Sequence, residues 1–230
     1  MLKVRVIACL LLDDGQLCRT KKFAPDYRYT QEFVATEAVD EVFIVDVTKA
    51  GPSGKFHAAA KAYADKCFVP ITMGGWVATD QQIKNLLFNT GADKIVLGRA
   101  AAKLGFIEGL AEKHGSQLIV AGVDRMIYPD GDLAGIAADL GKRGAGEIFL
   151  QSVERDGSLQ GYDIQLLKAV NAAVDCPVVI GGGVGNWGHM AEAFEAGASG
   201  CATSNIFHMT EGWMAAGKKS LQANGVPVRP

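Results

Sequence analysis

The chain has 230 residues, 49% hydrophobic and 21% charged, the balance of a globular protein long enough to bury a core without disulfide staples. Its 23 basic and 25 acidic residues leave a net charge of −2, which argues against broad electrostatic binding to nucleic acid or an anionic membrane, though not against a local anion pocket. Glycine is the anomaly, 28 residues against 7 prolines without a collagen period, so the places where glycines fall carry information.

The first apolar run, residues 4–11, superficially resembles a secretory leader. It ends in Asp13-Asp14-Gly15 without a small-residue cleavage site, so a buried strand is expected. A second run, 42–46, ends on Asp46. The third, 69–73, leads into Gly74-Gly75, and helical periodicity over 80–90 closes on Gly91-Ala92. The fourth, 94–97, is followed by Gly98-Arg99, and the fifth, 117–124, ends on Asp124. The sixth, 147–151, precedes Ser152 and Asp156, with a helical stretch over 164–173. The seventh, 177–180, enters Gly181-Gly182-Gly183, and a helix over 189–196 closes on Gly197-Ala198. The eighth, 200–203, ends at Ser204-Asn205. Glycine just past a helix supplies the left-handed cap that turns the chain into the next strand.

Continuous apolar strands alternating with helices imply a parallel sheet covered by helices. Eight such units predict an α/β fold, a single (β/α)8 barrel over residues 1–230, with a doubly wound open sheet as the alternative. The two halves also resemble each other. Val69-Pro70-Ile71-Thr72-Met73-Gly74-Gly75-Trp76-Val77 reads like Cys176-Pro177-Val178-Val179-Ile180-Gly181-Gly182-Gly183-Val184, 107 positions on, and Gly91-Ala92 and Phe43-Ile44-Val45 find counterparts 106 positions on. Such a repeat favours a barrel built from two half-barrels.

The glycine turns carry the strongest chemical signal. Gly74-Gly75 and Gly182-Gly183 directly follow strands, where clustered glycines let backbone N–H groups approach an anion. Two such turns in equivalent quarters of a barrel could hold a phosphate at each end of a substrate; tight strand-to-helix turns would also account for them. Gly98 and Arg99, with Ser204 and Asn205, occupy repeat-related places where a guanidinium or hydroxyl could complete each site, although Arg99 could equally be a solvated charge. Asp46 and Asp156 stand at strand ends facing the expected mouth, suited to catalysis or to loop capping. Trp76, in the first glycine turn, either narrows that site or packs. Five scattered cysteines without a C-x-x-C pair point to a reducing cytoplasm. His57, His114, His189 and His208 lack ligand spacing, so neither a metal nor a cofactor is expected.

These residues carry a family resemblance over nearly the whole chain. Arg5-Val6-Ile7-Ala8-Cys9-Leu10, Asp40–Thr48, Gly91-Ala92-Asp93-Lys94, Gly115-Ser116-Gln117, Lys142–Ile148, Glu154-Arg155-Asp156-Gly157-Ser158, Gly161-Tyr162-Asp163 and Ile206-Phe207-His208 are similar to the cyclase subunit of imidazole glycerol phosphate synthase. The resemblance implies a barrel that takes ammonia from a glutaminase subunit at its N-terminal face and passes it to a phosphorylated substrate at the other end. It also implies two catalytic aspartates, at the ends of strands one and five. Asp124 matches the second. At the first, the family's C-L-D reads Cys9-Leu10-Leu11, and leucine cannot shuttle a proton. Arg19 stands where the family has a substrate-binding lysine, and Gly98-Arg99 replaces an asparagine-threonine. The segment after strand five is short.

The other end matches in full. Arg5, Glu41, Lys94 and Glu147 correspond to the ring of charges that closes the family's ammonia entrance, although ion pairs that merely plug a barrel would look the same. Asp93 matches a partner-contacting aspartate. Leu10-Leu11 and Arg19-Thr20…Lys22-Phe23 are more similar to paralogues associated with acetamidino-sugar formation in bacterial surface polysaccharides. That resemblance implies amidination of a nucleotide sugar or similar phosphorylated molecule, alongside a sugar amidotransferase. A true cyclase-lyase of histidine biosynthesis, with Asp13 or Asp46 covering the missing acid, and a non-catalytic scaffold are the alternatives.

Overall fold

The computed structural model describes residues 4–29, 39–103, 105–204 and 213–229. Eight strands run parallel and close on themselves: β1 (Arg5–Asp13), β4 (Glu41–Asp46), β5 (Ile71–Gly74), β6 (Lys94–Leu97), β7 (Ile119–Val123), β8 (Glu147–Gln151), β9 (Val178–Gly181) and β10 (Gly200–Thr203), with β10 pairing back onto β1. Helices α1 (Phe56–Ala64), α2 (Asp80–Asn85), α3 (Phe106–His114), α4 (Leu133–Lys142), α5 (Ile164–Ala173), α6 (Trp187–Glu195) and α7 (Trp213–Ala223) alternate with them. The chain forms a (β/α)8 barrel, as its alternating pattern predicts.

Parity along β1 explains both the continuous apolar run and the inner wall. Val6, Ala8, Leu10 and Leu12 pack outward beneath the helices, whereas Ile7, Cys9 and Leu11 join Phe43, Val96, Val120, Phe149 and Val179 inside the barrel. A strand covered on both faces has no polar side to alternate with, so only its length and flanking turns mark it. Phe43 and Phe149, whose rings meet edge-to-face at 5.0 Å between centroids, fill the middle of the interior.

The structure departs from the sequence reading in several local ways. β1 continues to Asp13 and turns directly into an antiparallel hairpin, β2 (Gln16–Lys21) and β3 (Ala24–Arg28), which the apolar pattern does not reveal because β3 is half exposed. The expected third and seventh strands begin one or two residues late, since Pro70 and Pro177 lack an N–H for the ladder; their carbonyls instead accept from Val42 and Ile148. The helix expected over 80–90 widens to a π-turn at Leu86–Thr90 before Gly91 caps it at φ 97°. Residues 117–118 belong to a 3-10 turn rather than to β7.

Repeat-related strands begin in step, Glu41 with Glu147 and Lys94 with Gly200, each pair 106 positions apart. All five cysteines are free. Among the described residues no helix is long and apolar enough to cross a membrane.

Candidate functional site

A cavity of about 390 Å3 opens at the C-terminal ends of the barrel strands. Its wall includes Leu11 from β1, Phe23 from the hairpin tip, Asp46, Gly75 and Trp76, Gly98 and Arg99, Asp124, Gln151 and Asp156, Gly182 and Gly183, and Ser204. The barrel therefore brings together most of the residues singled out from sequence. Gly74 is the last residue of β5 and stays behind the wall, and Asn205 lies outside the described residues, as does His208. Arg19 is drawn elsewhere: its guanidinium pairs with Asp26 at 3.1 Å and lies over the Tyr27 ring, on the outer hairpin.

The three carboxylates in the wall differ in what their oxygens do. Oδ1 of Asp46 accepts from the Thr48 N–H at 3.0 Å and hydroxyl at 2.6 Å, and Oδ2 accepts from the Ser53 N–H at 2.9 Å. Both oxygens thus cap the loop after β4. Asp156 accepts from the Phe23 N–H at 3.0 Å and from the Thr20 hydroxyl, while its carbonyl accepts from Lys22. It ties down a turn in which Lys22 and Phe23 are both left-handed, at φ 51° and 57°, and so fixes Phe23 over the mouth. Asp124 accepts through Oδ1 from the N–H groups of Met126 and Ile127, at 2.7 and 3.0 Å. Its Oδ2 has no partner among the described residues and is left to the cavity. Burial raises the Asp124 pKa, outweighing those two N–H bonds and the nearby Arg99 charge. Asp156 is raised for the same reason, against its bonds from Phe23 and Thr20. Asp124 combines an oxygen without a partner among the described residues with a shift toward the protonated form, the properties of a general acid–base group.

The glycine turns have a packing reason as well as a chemical one. Gly75 (φ 95°) and Gly182 (φ 90°) are left-handed, and a Cβ on Gly182 would lie 2.7 Å from the Ser152 carbonyl oxygen, while one on Gly75 would collide with the Asp46 backbone. Close approach of neighbouring loops therefore dictates glycine at both places. The N–H groups of Gly182 and Gly183 remain unpaired among the described residues and stand at the cavity edge. Arg99 and Lys103 line the same cavity and form no ion pair with a described residue.

At the opposite end, each charge of the expected ring is the first residue of its strand. Arg5 Nη1 donates to Glu41 at 2.6 Å and Nη2 to Glu147; Lys94 donates to Glu41 at 3.0 Å and to Glu147 at 3.1 Å. Charges alternate around a closed circuit, and Thr72, fully buried, adds a 2.6 Å bond to Glu41. Burial opposes the Arg5 charge, but Glu147 and Glu41 together raise its pKa. Arg5, Lys94 and Glu147 also face a second cavity of about 670 Å3 at the N-terminal end. Asp93 lies nearby, where it caps β5 by accepting from the Ile71 N–H at 2.8 Å.

Comparison with known proteins matches residues 5–212 to the family described as histidine biosynthesis protein. The chain belongs to that family. It is 35% identical to the imidazole glycerol phosphate synthase subunit HisF of Mycobacteroides abscessus over 254 aligned positions, covering 98% of each chain. That alignment is longer than this histidine biosynthesis family chain, so the relative carries segments that are absent here.

Sequence reasoning missed the wall residues Lys103, Met126 and Ile127 of this family member, which no local motif marks, and it named Phe23 only as part of a resemblance motif, without a place in the wall. Phe23 reaches the mouth only because a two-residue hairpin turn is pinned from across the barrel, and Lys103 only because a 3-10 turn at Arg99–Ala102 brings it round.

Proposed function

We propose that this family member receives ammonia from a glutaminase subunit docked at its N-terminal face and uses it in a reaction other than the two-aspartate cyclisation, namely amidination of a sugar (acetamidino group formation) in bacterial surface polysaccharide biosynthesis. The observation that carries the reading is the contrast between the two ends of the barrel. The charge ring is complete and fully paired, while at the mouth Leu11 occupies the wall where the family resemblance implies a carboxylate. Asp13 and Asp46 do not stand in for it, because Arg28 pairs with the first and loop donors occupy both oxygens of the second.

The barrel interior between the ends is apolar, filled by Ile7, Phe43, Phe149 and Val179, and an apolar interior admits neutral ammonia far better than ammonium. Entry requires the ring to part, since its four side chains bridge one another. At the mouth, Asp124 Oδ2 is placed to take a proton from the attacking nitrogen, and the unpaired N–H groups of Gly182 and Gly183, Ser204, Arg99 and Lys103 would hold the phosphorylated part of the substrate. Free thiols fit a reducing cytoplasm as the place of action.

The retained Asp124 and the whole-length match to a HisF subunit favour a second reading, a working cyclase of histidine biosynthesis. Two measurements separate them. The chain should stimulate glutamine hydrolysis by its glutaminase partner, with Glu147→Ala uncoupling hydrolysis from ammonia delivery. It should not restore growth of a histidine auxotroph that lacks the cyclase; growth without histidine would overturn the proposal.

A further inference from the structure

The internal repeat gives the N-terminal end two related halves, and they treat equivalent phenylalanines in opposite ways. Phe88 and Phe194 stand 106 positions apart, each three residues before the Gly-Ala that closes its helix. Phe194 is 8% exposed and packs into the core, beside the C-terminal segment at Asn224–Pro227. Phe88 is 77% exposed. The cause is local. The helix before Gly197 stays α-helical through Glu195, whereas the one before Gly91 widens into the π-turn at Leu86–Thr90, with Phe88 at its centre. Widening a turn swings its side chains round the helix axis, and such turns collect at functional sites. Phe68, in the loop before β5, is 97% exposed, and its counterpart 107 positions on is the acid Asp175. Among the described residues these two phenylalanines are the most exposed large apolar side chains, and one half-barrel carries both. They are also neighbours of the charge ring. The Pro70 carbonyl accepts from the Val42 N–H at 3.0 Å, next to Glu41, and Ile71 and Asp93 exchange two 2.8 Å bonds, next to Lys94. The helix ends that carry the pair meet, since a Cβ on Gly91 would lie 3.4 Å from that of Ala64.

We infer that Phe68 and Phe88 are the apolar anchors by which the ammonia-supplying glutaminase subunit is held, off-centre, on the first half-barrel. The inference rests on the proposal that a glutaminase delivers ammonia at this end, and it adds which side chains bear the contact. Ammonia has to enter without escaping to water, so its source must be pressed against the border of the ring. The two phenylalanines abut the strands that begin with Glu41 and Lys94, two of its four members. Large apolar side chains buried at the centre of a contact dominate interface energies, and the equivalent places in the other half, a buried Phe194 and an exposed Asp175, offer none. A second copy of this chain on the same patch would cover the ring and supply no ammonia.

The test titrates the full chain into its purified glutaminase subunit with glutamine. It reads the chain concentration for half-maximal stimulation of hydrolysis and the maximal stimulation. Phe68→Asp borrows the residue that the other half carries at the equivalent place, and Phe88→Gln alters a second exposed side chain, so both variants should melt within about 2 °C of the parent. Each should raise the half-maximal concentration about tenfold or more, and the two together about a hundredfold, as loss of interface hot spots does. Maximal stimulation should not change, because the ring is intact. Leu159→Gln, at an exposed apolar residue in the loop after β8 at the opposite end, should alter neither quantity. An unchanged half-maximal concentration in the double variant, or an equal rise in Leu159→Gln, would overturn the anchors. Self-association of the chain alone in sedimentation, abolished by Phe68→Asp, would overturn them too and give the patch to a second copy. A parent chain that does not stimulate hydrolysis at all would remove the ammonia proposal and the anchors with it, so the two failures are told apart.

Discussion

Replacing Arg5 by alanine tests whether the charge ring behaves as a buried network. The guanidinium supplies two of the four ion pairs, and its loss leaves Glu41 and Glu147, with side chains 2% and 6% exposed, sharing Lys94 alone. Breaking a buried pair by removing one partner costs about 3–5 kcal/mol. The lower end applies here, because Thr72 still donates to Glu41 and the Arg5 side chain is 16% exposed, so water can enter its place. A loss of about 3 kcal/mol in a chain of this size lowers Tm by roughly 6–12 °C. Urea denaturation followed by circular dichroism measures it directly. Adding Glu147→Gln to Arg5→Ala leaves Glu41 balanced by Lys94, so the double variant should lose less than the sum of the single losses, by about 1 kcal/mol or more. A loss below 1 kcal/mol for Arg5→Ala, or strict additivity in the double variant, would refute the buried network and reduce the ring to solvated surface pairs.

Asp124→Asn retains an oxygen for the Met126 and Ile127 N–H groups and removes the charge. Because folding raises the Asp124 pKa, that group's favourable contribution is full below the ordinary carboxylate range and is lost as pH rises through the raised value. The variant should therefore be more stable than the parent at pH 7, with the gain fading below about pH 4, while turnover with the true substrate falls about 10²–10⁴-fold; unchanged turnover would remove Asp124 from the chemistry. Gly75→Ala drives a methyl into the Asp46 backbone at positive φ and should cost more than about 1 kcal/mol in chemical denaturation. Tyr128 buries a hydroxyl without a partner among the described residues, so Tyr128→Phe should be neutral or slightly stabilising, which a thermal melt would show; a large loss would mean that the hydroxyl is bonded.

Much of this architecture is legible along the chain because strand, turn and helix signals are local. Eight runs of apolar residues alternating with helices, several of them closed by glycine, leave few folds that bury both faces of every strand, and the offset of 106 or 107 positions points to closure. The charge ring is legible by resemblance, and each of its members does begin a strand. The β2–β3 hairpin is not legible: its second strand is half exposed, and its turn uses Lys22 and Phe23 in a conformation that glycine or asparagine usually marks.

By itself the sequence determined the alternation of strands and helices from which the barrel is built, while the family resemblance supplied the expected charge ring at one end and the carboxylate expected where Leu11 stands. Only the tertiary structure decided which groups at the mouth are available. Asp46, Asp124 and Asp156 look alike in sequence, yet hydrogen bonds from loops remote along the chain occupy the first and enlist the third to hold the hairpin, while the second keeps a free oxygen. The same holds for Trp76, whose exposure follows from a backbone angle that no residue pattern encodes. Chemistry at a barrel mouth depends on unpaired donors and acceptors, and pairing is settled by three-dimensional neighbours rather than by spacing along the chain.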